Sequence, residues 1–299
     1  MKPVLHWFQF LLFQFFSAIL GLLPLSAVQS IAGWLGQLVY KRFGFRRNIV
    51  QENVSNAFPE MQESEREAIA LGAFRSVAIS FMELLWFSRM KERDLRSMVR
   101  MEHGEMIREK LSKGKGAVLL TAHVGNWELI SPAYLVLAGI PVDALYKPQS
   151  NRWIDRRIVE RRTKFGNRLV PMGMGVREIL GILQGGRSIL IAADQSAPME
   201  SIRMKFFGRE VPVFQGPAAF CLKTRAPLIA TYALREPDGS YRLTWREIPS
   251  EDLSYSDEAI RELTRRHLEE TERVIRQYPD QWMWMHRRWK HATADHESH

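Results

Sequence analysis

Short apolar runs alternate with amphipathic stretches over the C-terminal two-thirds of the chain. Candidate strands lie at residues 116–122, 141–146, 168–171, 188–193, 228–234 and 241–248, and the first begins as a continuous apolar run that predicts a buried strand. The stretches between them have helical spacing, at residues 126–138, 151–165, 175–184, 217–225 and 256–277. This alternation predicts an α/β fold with a central mixed, largely parallel sheet flanked by helices.

The N-terminal third has a different pattern. Residues 4–25 form the most apolar segment, interrupted by His6, Gln9 and Gln14, and about 20 residues suffice to cross a bilayer core. Its many Phe and Trp side chains favour a helix that lies on a membrane or lightly spans it, while a buried core helix is the alternative.

Two more helices are predicted after the apolar segment, at residues 46–58 and 64–90. No linker rich in Pro, Gly or Ser divides the rest of the chain. We therefore expect residues 1–30 to form a membrane-anchor helix and residues 31–299 a single α/β domain.

The net charge of the chain limits the kinds of partner that it is expected to bind. A formal net charge of +9 suits nucleic acid, an anionic membrane surface, or acidic and phosphorylated substrates. The single cysteine, Cys221, excludes an internal disulfide and a zinc site built from cysteines. Four basic residues follow the apolar region and favour the cytoplasmic side of a membrane: Lys41, Arg42, Arg46 and Arg47.

The strand at 116–122 is followed by His123, and Glu128 lies in the first turn of the next predicted helix. Ligands bind outside the carboxyl ends of strands in open α/β sheets. The spacing H-x4-E differs from zinc-peptidase motifs, and no G-x-S-x-G elbow occurs. This predicts His123 as a base that acts directly on a substrate hydroxyl, with Glu128 holding its tautomer. A purely structural histidine is the alternative.

The helix predicted at 151–165 is strongly basic. A solvated basic face is the simple interpretation, but helical spacing places Arg161 on the apolar stripe of Ile154 and Ile158, with Arg162 beside it. Arginines on an inward face need an anion, which a phosphate or a developing oxyanion would supply.

Three further segments are candidates for the same cleft. Asp194 and Gln195 follow the strand at 188–193 and form either a second edge of the cleft or an ordinary capped loop. The stretch from Phe206-Phe207-Gly208 to Gln215-Gly216-Pro217 is interpreted as a loop over the cleft mouth. In residues 278–290, Trp alternates with basic residues, which suits a membrane–water interface, a phosphate surface or base stacking.

Together these segments resemble the bacterial lipid A late (secondary) acyltransferases, the lauroyl/myristoyl transferase family within the H-x4-D/E glycerolipid acyltransferases. The matching motifs follow the family's order over nearly the whole chain: His123-Val-Gly-Asn-Trp-Glu128, Tyr146-Lys-Pro, Asp155 with Arg161-Arg162 and Gly166, Ala193-Asp194-Gln195, Phe206-Phe207-Gly208, Gly216-Pro217, Pro279-Asp280-Gln281-Trp282-Met283-Trp284 and His286-Arg287-Arg288.

The resemblance implies that the 31–299 domain moves an acyl chain from an acyl carrier protein thioester to a hydroxyl of a lipid A precursor. The reaction would take place on the cytoplasmic face of the bacterial inner membrane, so the implied partners are acyl carrier protein, a phosphorylated glycolipid acceptor and membrane lipid. It implies catalytic roles for His123 and Glu128, and no metal or cofactor. The residues expected to bind substrate are Arg162, Arg161, Asn126, Lys147, Asp194 and Gln195.

Two other functions stay open at this point. The first is the same chemistry on another glycolipid or lysolipid, such as a phosphatidylinositol mannoside or an ornithine lipid. The second is a basic, non-enzymatic protein that binds membranes or nucleic acid, but it leaves His123 and Glu128 unexplained. No nucleic-acid-binding motif occurs, so we expect no nucleic-acid partner.

Overall fold

The structure is a computed structural model that describes residues 2–112, 114, 116–173 and 175–292. Its α-helices are α1 (Lys2–Leu20), α2 (Leu25–Leu38), α3 (Arg47–Ala57), α4 (Glu63–Trp86), α5 (Glu92–Met98), α6 (Gly104–Ser112), α7 (Ile130–Ala138), α8 (Arg152–Arg162), α9 (Val176–Gln184), α10 (Gly216–Thr224) and α11 (Asp257–Gln277). Its strands are β1 (Val99–Met101), β2 (Val118–Thr121), β3 (Val142–Tyr146), β4 (Arg168–Pro171), β5 (Ser188–Ala192), β6 (Arg203–Phe206), β7 (Arg209–Pro212), β8 (Leu228–Arg235) and β9 (Tyr241–Ile248).

A seven-stranded sheet organises the fold, in the order β1-β9-β8-β2-β5-β3-β4. Only β8 and β9 run antiparallel to each other, and the other neighbouring pairs are parallel. The mixed, largely parallel sheet flanked by helices is therefore confirmed, and all six predicted strands are present. The periodicity did not indicate β1, because it has three residues and pairs only with β9.

The centre of the sheet determines where the site lies. Strand β2 is buried along its whole length and lies between β8 and β5, parallel to both. Thr121 at the end of β2 is in register with Ala192 at the end of β5. The chain therefore leaves these two strands side by side, at the edge of an α/β sheet where ligands bind.

Helix α1 lies on the surface with large apolar side chains in solvent, among them Val4, Phe8 and Phe15. This exposure rules out the buried core helix. Residues Pro3–Leu20 and Glu63–Trp86 are both long and apolar enough to cross a membrane by length and composition alone, and 56% of the second window is buried. The predicted anchor boundary at residue 30 falls inside α2, and Met1 and residues 293–299 lie outside the described residues.

The C-terminal tryptophans do not form the predicted exposed interface. Trp282, Trp284 and Trp289 are 3%, 0% and 8% exposed, respectively. They pack edge-on and stacked against one another and against Phe206 and Phe207. The spacing of bulky and basic residues cannot distinguish an interfacial strip from a segment folded into the core, and here the aromatic cluster buries the rings.

The predicted loop over the cleft mouth is partly a hairpin. Strands β6 and β7 pair antiparallel, and Phe207-Gly208 is its two-residue turn, with positive φ at both positions. The Phe206 and Phe207 side chains point into the core instead of over the cleft, at 1% and 5% exposure.

Candidate active site

His123 and Asp194 meet at the carboxyl edge of the sheet. Each residue lies two positions beyond the registered pair Thr121 and Ala192, so the parallel strands place them side by side. Asp194 Oδ1 lies 2.8 Å from Nδ1 of His123. Its Oδ2 accepts the His123 backbone N–H at 3.0 Å and the Trp282 Nε1–H at 2.8 Å. The carboxylate thus holds both the ring and the backbone of His123.

Burial and neighbouring charges shift the pKa values of both Asp194 and His123. Burial opposes ionisation of Asp194, but the charge of His123 and three hydrogen bonds outweigh it and lower its pKa to about 2. Burial also opposes the imidazolium form of His123, yet the charge and hydrogen bond of Asp194 raise the pKa of the histidine above 6.5. An ionised Asp194 therefore stabilises the imidazolium that forms when His123 accepts a proton.

Asp194 takes the place that the sequence interpretation assigned to Glu128. Sequence proximity suggested that Glu128 orients His123, and Asp194 was expected to contact substrate instead. The structure instead joins the His123 ring to Asp194, 71 positions away, through strand pairing. The catalytic role of Glu128 and substrate binding by Asp194 stay predictions. Among the described residues, Nε2 of His123 has no hydrogen-bond partner, and its side chain is 19% exposed. Within the described ranges, the structure therefore leaves Nε2 unpaired on a partly exposed side chain.

Glu128 instead binds Arg162, the last residue of α8. Its two oxygens accept Arg162 Nη2–H at 2.5 Å and Nε–H at 2.6 Å, a bidentate pair, and Trp127 Nε1 donates to it at 3.1 Å. Burial disfavours the charge on Arg162, but Glu128 outweighs burial and raises the pKa of the guanidinium. Nη1 of Arg162 has no partner within the described part of the chain, so it keeps its donors for a ligand.

The two ion pairs lie next to each other. The Trp127 ring packs edge-on against the His123 ring, with centroids 4.9 Å apart, and its indole N–H binds Glu128. Both Glu128 and Arg162 act electrostatically on His123. The site thus combines an oriented imidazole with a fixed guanidinium, an arrangement that is chemically able to take up a proton and to stabilise negative charge.

Gly125 shapes the loop that carries His123. It has φ +62°, and a Cβ on this residue would lie 2.0 Å from the Ala233 carbonyl oxygen of β8. The backbone N–H of Gly125 donates to Gln281, and the N–H of Asn126 donates to Ala233. Only glycine allows this close approach, which brings the turn onto β8 and the segment that contains Trp282.

Asn126 was expected to bind substrate, and the structure does not agree. Its side chain is fully buried and both ends bind within the protein: Nδ2 donates to Glu83, and Oδ1 accepts the backbone N–H of Glu128 at 3.0 Å. Glu83, on α4, also accepts from Gln29 and Tyr241. Asn126 therefore positions Glu128, and a network of buried polar groups positions Asn126.

The other predicted binding residues lie in three different environments. Arg161 is 6% exposed and is the buried residue of α8, as its helical position indicated. Lys147 is exposed at the end of β3, and Gln195 is half-buried next to Asp194. Their roles in substrate binding stay predictions.

Sequence reasoning missed Trp282, Trp127 and His286 as members of the site. Trp282 donates to Asp194, and His286 Nε2 accepts the backbone N–H of Ser196 in the loop that follows Asp194. Both belong to the C-terminal segment that was interpreted as a surface. The sequence could have indicated them, because Trp282 and His286 both belong to the motifs that resemble the acyltransferase family. As for metals, the described residues contain no group of three or more His, Cys, Asp or Glu side chains that could hold an ion.

Known proteins similar in sequence to this chain are acyltransferases. The chain is 27% identical over 274 residues to the lipid A biosynthesis lauroyltransferase of Escherichia coli (strain K12), covering 90% of this chain and 87% of that protein. It is 25% identical over 240 residues to the lipid A biosynthesis myristoyltransferase of the same organism, covering 78% and 72%. It is 28% identical over 191 residues to the phosphatidylinositol mannoside acyltransferase of Mycolicibacterium smegmatis (strain ATCC 700084 / mc(2)155), covering 62% and 60%.

A family model described as bacterial lipid A biosynthesis acyltransferase matches residues 3–291. That range begins in α1, includes both ion pairs and ends beyond the aromatic cluster of the C-terminal segment. The match confirms the resemblance carried by the sequence motifs, and the chain belongs to the bacterial lipid A biosynthesis acyltransferase family.

Proposed function

We propose that this protein transfers a fatty acyl chain to a hydroxyl of a lipid A precursor, with acyl carrier protein as the thioester donor. The family supports the acyltransferase class and a lipid A acceptor. The formal net charge of +9 supports the donor, because an acidic carrier protein would be attracted to a basic enzyme.

The proposed location is the cytoplasmic face of the bacterial inner membrane, with residues 1–30 as the anchor and residues 31–299 as one acyltransferase domain. The exposed apolar side chains of α1 support membrane contact. Lys41, Arg42 and Arg46, all exposed, follow α2 and would face anionic headgroups.

In the proposed reaction, Nε2 of His123 takes the proton of the acceptor hydroxyl as the oxygen attacks the thioester carbon. Asp194 holds Nδ1 protonated and stabilises the imidazolium. The carbonyl oxygen becomes an oxyanion, and the guanidinium of Arg162, held by Glu128, would stabilise it. When the C–S bond breaks, the leaving thiolate takes the proton back from His123.

The observation that carries this proposal is the hydrogen bond between Nδ1 of His123 and Asp194, on a histidine whose side chain is 19% exposed. The test replaces His123 by Asn, which keeps a polar side chain but has no basic nitrogen. Loss of the general base should lower kcat for transfer from acyl carrier protein to a lipid A precursor by roughly 10²–10⁴-fold.

The matched control is His103→Asn. His103 is exposed in a turn with φ +48°, a conformation that Asn tolerates, so transfer should stay at the wild-type rate. Equal rates for wild type and His123→Asn would overturn the proposed base. Transfer from acyl-CoA but not from the carrier protein would overturn the proposed donor and leave the base intact.

A second candidate function keeps the chemistry and changes the acceptor to a phosphatidylinositol mannoside. The 28% identity to the mycobacterial enzyme favours it, although the match covers 62% of this chain, against 90% for the lauroyltransferase. Mass spectrometry of the lipids of a deletion strain separates the two. Loss of one acyl chain from lipid A supports the first function, and unchanged lipid A supports the second.

A further inference from the structure

A cavity lies between α1, α8 and the segment that follows α4, and its lining does not include His123. Its volume is about 540 Å³. Helix α1 supplies Ser17 and Gln14, α8 supplies Arg157 and Arg161, and Arg89 follows α4. Lys164, two residues beyond α8, completes the basic lining. The cavity is therefore formed where the apolar surface helix joins the basic helix.

Arg161 is the unusual member of this cavity. Its side chain is 94% buried, Nη2 donates to Ser17 Oγ at 2.5 Å, and the guanidinium lies 4.5 Å from the centre of the Phe13 ring. Nη1 is buried without a hydrogen-bond partner, and within the described residues Arg161 has no ion pair. A buried guanidinium without a counter-charge is costly, because burial removes the water that would solvate it.

One carboxylate of the cavity acts favourably on Arg161, but the cations of the lining outnumber it. The lining has four cationic side chains, Arg89, Arg157, Arg161 and Lys164, and one carboxylate, Glu160. Glu160 is already paired, accepting from Arg157 at 2.7 Å and from Arg156 at 3.2 Å. Burial and the positive charge of Arg157 lower the pKa of Arg161 to about 10, which agrees with an excess of positive charge.

We propose that this cavity binds a phosphate group of a lipid, with Arg161 and Arg89 as its principal ligands. A phosphate is the anion that arginine forks match, and it fits in the volume with room for the sugar or glycerol that carries it. Helix α1 lines the cavity and exposes its apolar side chains next to it, so a phosphate on a lipid would be held where the lipid meets the protein.

The cavity also has a fixed relation to the site of acyl transfer. Arg161 and Arg162 are neighbours at the end of α8, with Cα atoms about 3.8 Å apart, and their side chains point to Ser17 and Glu128 respectively. A phosphate held by Arg161 would therefore lie one residue along α8 from the guanidinium that binds Glu128. This part of the inference rests on the proposed function.

The experiment measures binding without turnover. The full-length protein in uncharged detergent, with no acyl donor, is titrated with a lipid A precursor and with the same lipid after removal of its phosphates. Wild type should bind the phosphorylated lipid more tightly. Arg161→Gln and Arg89→Gln should each raise Kd for the phosphorylated lipid by roughly 10-fold or more, and leave Kd for the other lipid unchanged.

Two variants guard against trivial effects. Arg89 is exposed, so its substitution tests the cavity even if Arg161→Gln does not fold. Arg156→Gln is the control, because Arg156 is on α8 and also binds Glu160, but its side chain is 82% exposed and outside the cavity. The control should bind both lipids like the wild-type protein.

The source of the phosphate is identified by competition. Bound precursor is challenged with micelles that contain phosphatidylglycerol and, separately, with unlabelled precursor. Equally strong displacement by both indicates that the site binds a bulk phospholipid headgroup. Weak displacement by phosphatidylglycerol indicates that the site binds the phosphate of the acceptor. Either result supports a lipid-phosphate site. If the variants bind both lipids equally more weakly than wild type, or bind both as tightly as wild type, the lipid-phosphate site is overturned. Because no acyl transfer is measured, failure of the proposed reaction would leave this outcome unaffected.

Discussion

The two ion pairs of the site have the same composition but differ in whether the cation can lose its proton. Each joins a buried carboxylate to a cation: Asp194 to His123, and Glu128 to Arg162. In the first pair the cation is the imidazolium of a histidine, so the pair can take up and release a proton. In the second the cation is permanently charged. The comparison shows how one site can separate proton transfer from charge stabilisation.

The pairs also differ in how the chain builds them. The His123–Asp194 pair depends on two parallel strands whose ends are in register, so it is held by the sheet. The Glu128–Arg162 pair joins a turn to the end of α8 and depends on Asn126 and Glu83 behind it. Damage to the first pair should therefore change the protonation of the base. Substitutions in the second pair should change the position of the Arg162 guanidinium and leave His123 able to accept a proton.

The largest effect is expected from Asp194→Asn. The neutral amide no longer stabilises the imidazolium, so kcat/KM should fall on the order of 10³-fold. His123 must be neutral to accept a proton, and its raised pKa makes activity fall as pH drops through a value above 6.5. Without the Asp194 charge, burial lowers that pKa, so the acid limb of the pH profile should move to lower pH.

The control for this variant is Asp252→Asn, which removes a 58% exposed carboxylate paired with Arg266 and should leave the profile unchanged. An acid limb that stays at the wild-type position in Asp194→Asn, measured between pH 5 and 9, would show that His123 is not the titrating base.

A smaller effect is expected from Glu128→Gln. The amide no longer fixes the fork of Arg162, and loss of one positioned oxyanion donor typically costs about 10²-fold in kcat. Asp194 still orients His123, so the acid limb should move less than in Asp194→Asn. Glu269→Gln breaks an exposed pair with Arg265 and is the matched control, with an expected rate close to wild type. A larger pH shift in Glu128→Gln than in Asp194→Asn would reverse the assignment of the two carboxylates.

The smallest effect on chemistry, but a clear one on stability, is expected from Asn126→Ala. It removes a donor from buried Glu83 and the acceptor of the Glu128 N–H, which should lower the free energy of unfolding by about 1–3 kcal/mol. Urea unfolding measures the change. Asn48→Ala, on the exposed surface of α3, should lie within about 0.5 kcal/mol of wild type. Unchanged stability in Asn126→Ala would mean that the buried network does not hold the turn.

Local patterns were enough to predict much of this molecule. The alternation of strand-like and helix-like segments indicated six strands of the sheet, and the apolar run at β2 fits a strand that is buried along its whole length. The position of His123 after a strand, and of Arg161 on the apolar stripe of α8, followed from the same periodicities. The order of motifs along the chain indicated the family.

Only the tertiary structure determined the hydrogen-bond partners of the site residues. Glu128 is five residues from His123, yet Nδ1 binds Asp194, because hydrogen-bonded neighbours in a sheet are set by strand order and not by distance along the chain. The same holds for Trp282, whose indole N–H completes the Asp194 contacts only after the C-terminal segment folds onto the His123 loop. Sequence thus determined which side chains stand at the ends of the strands, and the register of those strands determined which of them touch.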